Sequence, residues 1–252
     1  MEIRKINEKA QGIARQIVEV AGLLWTKGWG EATSGNISVN VTDAFPGINL
    51  DFRTFPIIHL DIPYPALAHH YIFITTKGTR MRDLLKDPTR CLCIIKLSRT
   101  GETYQVLFED QEHPVEPSSE ILTHLAIHEK MVQAGNGNKA IVHAHVHELI
   151  VLTHIPEMRN EARLNEALMG MHTEIPFFLP EGIGYVPLVT PGSPELADAN
   201  LRSLKDHMIV VWEKHGVMAI GKDVHEAFDR MDVLAKAAKI YINCKAMGLD
   251  PI

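Results

Sequence analysis

The chain is short of several features that would assign it to a class at once. It has only three cysteines in 252 residues. So small and odd a number excludes a disulfide-stapled scaffold and suits a reducing compartment, with the cytoplasm expected. No apolar run approaches the ~20 residues needed to span a bilayer. The opening Met1-Glu2-Ile3-Arg4-Lys5 runs into a charged amphipathic pattern and does not read as a signal peptide. Positive charge is not in excess: 25 Lys and Arg stand against 31 Asp and Glu, for a formal charge of −6. That balance disfavours nucleic acid as a partner. Repeats, low-complexity tracts and an interdomain linker are also missing. Hydrophobic residues make up 46% and charged residues 22%, which is ordinary globular usage and excludes disorder. The expectation is one domain over residues 1–252, long enough to bury a full core. What the chain has in plenty is histidine, 14 of them.

Hydrophobic spacing lays out the elements. Ile6, Ala10, Ile13, Ile17, Val20 and Leu24 recur at helical intervals, and the helix should stop near Lys27-Gly28. Ile37–Val41 alternates like a half-buried strand. Residues 44–70, with Pro46, Pro56, Pro63 and Pro65, predict an irregular excursion with at most one short helix. Tyr71–Ile74 reads as a strand, and 91–97 with 103–108 as a hairpin about Arg99-Thr100-Gly101. A helix is expected over 119–134, a strand over 140–145 and a helix from His147 to about His154. Phe177–Leu179 and Tyr185–Leu188 read as short strands. Ser193-Pro194-Glu195 should open a helix, with Ser as its cap and Pro at its first position. Met208–Trp212 and Val217–Ile220 read as strands joined through Lys214-His215-Gly216. Asp223 and Glu226 form a capping-box pattern for a last helix that ends at Gly248. Strands and helices mix without strict alternation. This predicts an α/β domain with a mixed, mostly antiparallel central sheet and helices on both faces.

The histidines cluster most tellingly in Val142-His143-Ala144-His145-Val146. On a strand, residues i and i+2 share a face and lie about 6.6 Å apart. Two imidazoles so placed can converge on one cation. His147 has the same parity but would lie about 13 Å from His143, too far to share an ion. His215, in a turn between apolar strands, is the candidate third ligand. Three histidines would leave a coordination position open, as catalytic metal sites do. A bare His-x-His is also compatible with two unrelated surface residues. His124 and His128, four apart on a helix, could bind a metal too, but the zinc-protease pattern around them is absent. The remaining histidines read as solvated or packed. Cys91 and Cys93 flank Leu92 in an apolar strand and read as packing residues.

Three polar segments sit at strand or helix ends: Thr33-Ser34-Gly35-Asn36, Thr75-Thr76-Lys77-Gly78 and Ser118-Ser119. Small polar residues with glycines expose backbone N–H groups and can cradle an anion. Each alone reads more readily as a turn or a helix cap. Glu120 follows at once. A Glu in a first helical turn complements the helix dipole, and beside a metal it becomes a candidate general base.

Together these segments resemble the class II aldolase/adducin family. The resemblance rests on His143-Ala144-His145, His215, Ser118-Ser119-Glu120 and Ser34-Gly35-Asn36, and it runs from Ile13 to Gly248. Within the family the rhamnulose branch fits better than the shorter fuculose branch. The long excursion at 44–70 and the Thr173-Glu174 segment carry that preference, and Lys27-Gly28-Trp29, Pro180-Glu181-Gly182-Ile183-Gly184 and Val211-Trp212 match the same branch. The resemblance implies reversible aldol cleavage of L-rhamnulose 1-phosphate to dihydroxyacetone phosphate and L-lactaldehyde. It implies one Zn2+ per subunit on His143, His145 and His215, with Glu120 moving the proton at the dihydroxyacetone carbon. Phosphate would be held by Thr33, Gly35, Asn36, Thr76, Lys77, Gly78, Ser118 and Ser119. Glu174 would reach the site from a neighbouring subunit of a homotetramer and act on the aldehyde half. The chain departs from the family pattern at Thr33, where the family has Asn, at Lys77, where it has a small hydroxyl residue, and at Ser118, where it has Thr. Rival readings are a fuculose-phosphate aldolase, a methylthioribulose-phosphate dehydratase or a non-enzymatic adducin-like interaction module. The epimerases of the family are disfavoured by Glu120, and the interaction module by the intact histidine set.

Overall fold

In the computed structural model, which describes residues 8–45, 55–107 and 115–251, the first apolar stripe forms α1 (Glu8–Thr26). Ala10, Ala14, Ile17, Val20, Ala21 and Leu24 are its buried face. It ends before Gly28, whose φ of +74° suits glycine past a helix end. Ile6, Pro46, Phe108 and His113, and so parts of the predicted first helix, excursion and hairpin, lie outside the described residues.

Nine strands make one sheet among the described residues. They are β1 (Asn36–Asn40), β2 (Ile57–His59), β3 (Tyr71–Thr75), β4 (Leu92–Leu97), β5 (Thr103–Leu107), β6 (Ala140–Ala144), β7 (Gly184–Val186), β8 (Ile209–Trp212) and β9 (Gly216–Gly221). Their order is β2-β5-β4-β3-β1-β6-β9-β8-β7, with β7–β8 the one parallel pairing described. The predicted mixed, mostly antiparallel sheet is therefore present.

Strand parity sorts the core into two layers. In β6, Ala140, Val142 and Ala144 face one layer, which also takes residues from α1, α5 (His147–Thr153), α6 (Glu161–Leu168) and α9 (Val224–Ala246). Ile141, of opposite parity, packs on the other side with Ile127 and Met131 of α4 (Ile121–Ala134) and Leu196 and Ala199 of α8 (Pro194–Ser203). Helices thus cover both faces of the sheet. Burying one Ile or Leu in such a layer contributes about 1.5–3 kcal/mol.

The capping chemistry read from the sequence holds. The Ser193 side chain accepts from Leu196 N, with Pro194 at the first helical position. Asp223 accepts from Glu226 N, and the Glu226 carboxylate accepts from Lys222 N at 2.5 Å. One expected strand is not there. Phe177 and Phe178 end a short helix, α7 (Ile175–Phe178), because Pro176 has the fixed φ of a first helical turn and the aromatic run does not override it. Three helices escape the sequence pattern, α2 (Met81–Leu84), α3 (Pro88–Cys91) and α6. The helix expected from residue 119 begins at Ile121, with Glu120 as its cap residue rather than inside the first turn. Among its described residues the excursion contributes a single 3-10 turn, Pro65–Leu67, and the edge strand β2, and another such turn, Thr42–Ala44, leads into it.

Register brings one end of the sheet together. Asn36 pairs with His143, Ala144 with Val217, and Ser38 with Ile74. The start of β1, the ends of β3 and β6, and the start of β9 therefore lie side by side.

Candidate active site

His143 is the next-to-last residue of β6, and His145 falls just beyond the strand, where its N–H donates to Trp29 O at 2.9 Å. His215 sits in the turn between β8 and β9. That turn needs Gly216: its φ is +154°, and a Cβ there would lie 2.4 Å from the Ala144 carbonyl oxygen. The close approach carries His215 onto the His-x-His pair. One ligand atom from each of the three rings lies within 4.8 Å of the others. The ring centroids are 4.9–5.4 Å apart and the rings are mutually edge-on, at 66–73°. His147 heads α5, pairs with Glu148 and stays out of the group.

The partners of these rings fix their tautomers. His143 Nδ1 lies 2.9 Å from Val217 O, and a carbonyl only accepts, so Nδ1 carries the proton. His145 Nδ1 donates in the same way to Glu31 Oε1 at 2.7 Å. His143, neutral by burial, is left with a bare Nε2. Burial, reinforced by neighbouring imidazoles, pushes His143 down to about 3 and His215 down to about 4. Neutral imidazole is the ligand form, so the donor set fits a metal ion. Trp212 stacks on His143 at 4.4 Å and 28°. Its indole N–H donates to Asn200 Oδ1 at 2.8 Å, which ties the ring to α8.

Glu120 stands against the triad. Its Oε1 is 3.8 Å from His215 Nε2 and its Oε2 is 3.9 Å from His143 Nε2. It is 5% exposed. Burial pushes its pKa up, against the hydrogen bond that Asn36 Nδ2 donates to Oε2 at 2.9 Å. A raised carboxylate pKa suits a group that must both take and return a proton.

All three predicted anion loops line the same cavity as Glu120 and the triad, a space of about 310 Å³ that takes in Thr33, Gly35, Asn36, Thr76, Lys77, Gly78, Ser118 and Ser119. Gly35 has φ +81°, and a Cβ on it would lie 3.1 Å from His143 O, so the first loop touches the metal strand directly. Thr76 shares its hydroxyl with Thr79 at 2.7 Å and donates to Arg90 O at 3.0 Å. Lys77 Nζ points to Glu116 at 2.7 Å on the surface. Ser118 Oγ accepts from Glu120 N at 3.3 Å. Glu174 is not in the cavity. It is an exposed cap residue of α7, its N–H donating to His172 Nδ1 at 3.4 Å. Cys91 and Cys93 are buried and free, and burial pushes the Cys93 thiol up to about 12.

Sequence reasoning passed over Glu31, Asn200 and Trp212 in this role. Glu31 was findable, since it stands two residues before the first anion loop and a carboxylate behind a metal histidine is the usual partner. The Trp212 stacking depends on the β6–β9–β8 register and had no local signal.

Three converging imidazoles beside a buried carboxylate, with the three predicted anion loops at the rim, are the donor set and acid/base group of a metal-dependent enzyme. Comparison with known proteins carries this further. Residues 15–242 match the Class II Aldolase and Adducin N-terminal domain, and the chain belongs to that family. It is an enzyme of the aldolase type, a lyase, of a metal-dependent family. A rhamnulose-1-phosphate aldolase of Bacteroides thetaiotaomicron is 35% identical over 256 residues, 99% of this chain and 93% of that one. A rhamnulose-1-phosphate aldolase of an Enterobacter strain is 31% identical, covering 89% of this chain and 82% of its own. Among solved structures, a sugar-phosphate aldolase from Thermotoga maritima superimposes with a TM-score of 0.82 at 34% identity, over 96% of this chain and 98% of that one. An L-fuculose 1-phosphate aldolase, at 0.63 and 20% identity over 96% and 89%, shares the fold.

Proposed function

We propose that this chain is a Zn2+-dependent aldolase that cleaves L-rhamnulose 1-phosphate reversibly to dihydroxyacetone phosphate and L-lactaldehyde. The observation that carries the reading is the single cavity in which the triad, Glu120 and three anion loops converge. The 35% identity across nearly the whole chain to a protein named for that substrate supports the choice of sugar.

His143, His145 and His215 would hold the ion. Bound Zn2+ supplies Lewis-acid polarisation of the ketone and the neighbouring hydroxyl. In cleavage the C3–C4 bond breaks and its electron pair stays on C3. The C4 hydroxyl passes its proton to Glu174 of an adjacent subunit and becomes the aldehyde. Glu120, protonated, delivers a proton to C3; in synthesis the same oxygen removes it. The phosphate rests among the loop residues Thr33, Gly35, Asn36, Thr76, Lys77, Gly78, Ser118 and Ser119, far from the reacting bond, and fixes the substrate's register. No lysine Schiff base takes part. Residues 1–252 act as one catalytic domain in the cytoplasm. Glu174, remote from its own cavity, serves the aldehyde half of the site in an adjacent subunit of a homotetramer.

The test is a coupled assay for dihydroxyacetone phosphate across a panel of ketose 1-phosphates, with and without chelator. L-Rhamnulose 1-phosphate should give the highest kcat/KM, and the chelator should abolish turnover. Preference for fuculose 1-phosphate, or dehydration without carbon–carbon cleavage, would replace this reading.

A further inference from the structure

His124 and His128 lie on the buried face of α4 and are fully enclosed, though nothing in the proposed reaction uses them. They are joined end to end with β1. Asn36 Oδ1 makes a short hydrogen bond with His124 Nε2. His124 Nδ1 lies 2.6 Å from Ser38 Oγ, and Ser38 Oγ lies 2.8 Å from His128 Nε2. Asn36 and Ser38 share a face of β1 by strand parity, and His124 and His128 share a face of α4 by helical spacing. Two periodicities thus meet to make one continuous line from Glu120 into the protein.

The line has one self-consistent direction. The ionised Glu120 carboxylate only accepts, so the Asn36 amide must turn its NH2 to it and its C=O inward. That C=O requires a proton on His124 Nε2. A neutral ring protonated there has a bare Nδ1, so Ser38 must donate its hydroxyl proton to it. Ser38 then accepts from His128 Nε2–H. His128 Nδ1 is left as a buried nitrogen with no hydrogen-bond partner, which is where the line ends. Burial holds both rings neutral, His124 well below its ordinary value and His128 down to about 3.

We infer that His124 is a positioning residue for Glu120: by accepting from Ser38 and donating to Asn36, it holds the amide orientation that ties Oε2 and keeps Oε1 beside His215. An Asn amide is nearly symmetric in shape, and the flipped form would set a carbonyl against the carboxylate. Ionised Glu120 favours the same orientation; once protonated it could donate to a flipped amide, and the His124 Nε2–H then keeps the NH2 turned toward it. The inference rests on the proposed role of Glu120.

The test compares His124→Leu with His124→Gln in the metal-loaded enzyme, with nitrogen NMR of labelled histidine as a second readout. His124→Leu should lower kcat about 10²-fold with metal content unchanged, the scale of a displaced catalytic group. His124→Gln, whose amide N–H falls near the place of the imidazole Nε2–H, should recover most of that loss. The spectrum of the parent should show His124 protonated at Nε2 and bare at Nδ1. If His124→Leu does not fold, Ser38→Ala removes only the hydroxyl; it should mix the His124 tautomers and lower kcat. A parental kcat in folded His124→Leu or Ser38→Ala, or a proton on His124 Nδ1 in the parent, overturns the inference. Glu120→Gln separates the two readings. If it is inactive while His124→Leu turns over normally, only the positioning role fails. If Glu120→Gln itself turns over normally, the base assignment fails and the positioning role falls with it.

Discussion

Replacing Glu31 should loosen the metal without touching a ligand. Its carboxylate accepts from His145 Nδ1 at 2.7 Å, which fixes the ring and makes the opposite nitrogen more basic. Burial opposes the ionised form, yet the bonds from His145 and its neighbours outweigh it, so the Glu31 pKa is lowered. Carboxylates in this position are worth about 10- to 100-fold in metal affinity. The Glu31 side chain is 61% exposed, so water screens its charge and the lower end applies to charge alone. Glu31→Gln keeps an acceptor and loses the charge, and should bind Zn2+ about 10-fold more weakly, a change of about 1.4 kcal/mol. Glu31→Ala also releases the ring to rotate and to take the other tautomer, and should approach the 100-fold end. Competition against a chromophoric chelator at fixed pH reads the dissociation constant, and a thermal melt of the apo form checks that the fold is intact. Affinity within twofold of the parent in Glu31→Ala would refute the argument that this carboxylate orients His145.

His145→Ala should lose metal and activity together; full turnover in a protein shown to be metal-free would sink the metal assignment. Glu120→Gln should keep the fold and lower turnover by about 10²–10⁴-fold, read by steady-state kinetics on a variant of parental metal content. Trp212→Phe retains a ring against His143 but leaves the buried Asn200 Oδ1 without its donor, and should cost about 1–3 kcal/mol in urea unfolding. Mixing Glu174→Ala chains with His145→Ala chains should restore some activity, since a cyclic assembly pairs an intact triad with an intact Glu174 at mixed interfaces. An active monomer by light scattering, or no recovery despite proven chain exchange, would count against the shared site.

The parts of the site that are legible in the sequence are those with a short-range geometric rule. His143 and His145 are visible because alternate residues share a face, although His145 lies one residue past the strand and owes its final place to the Trp29 carbonyl. Ser118-Ser119-Glu120 is visible because helix starts collect small polar and acidic residues, but the cap position of Glu120 is set by the Thr76–Pro117 bridge and the Ser118 contacts that precede α4. His124 and His128 look like packed histidines, and packed they are. Their link to Glu120 runs through Asn36 and Ser38, more than eighty residues away, and only the sheet register shows it. The Phe177–Leu179 strand fails for the opposite reason. There the local aromatic signal is strong, and the proline beside it is decisive. For α6, Leu164 and Leu168 stand four apart behind an Asn160 cap, a signal that was present but short.

The departures at the anion loops follow from how such loops work. Backbone N–H groups supply the field that holds a phosphate, so a side chain can change while the loop geometry stays. Gly35 cannot change, because its φ of +81° and its approach to the His143 carbonyl tie the loop to the metal strand. Thr33 and Ser118 keep hydroxyls at the rim of that geometry. Lys77 is the larger step, since it brings a full charge. Its ammonium is held by Glu116 at 2.7 Å, with both side chains more than half exposed. An ion pair of that kind is worth about 0–1 kcal/mol. Lys77 also lines the cavity, and drawing it away from Glu116 costs the protein little. The surface pair therefore parks the charge without committing it, and leaves the lysine available to the phosphate proposed for this cavity.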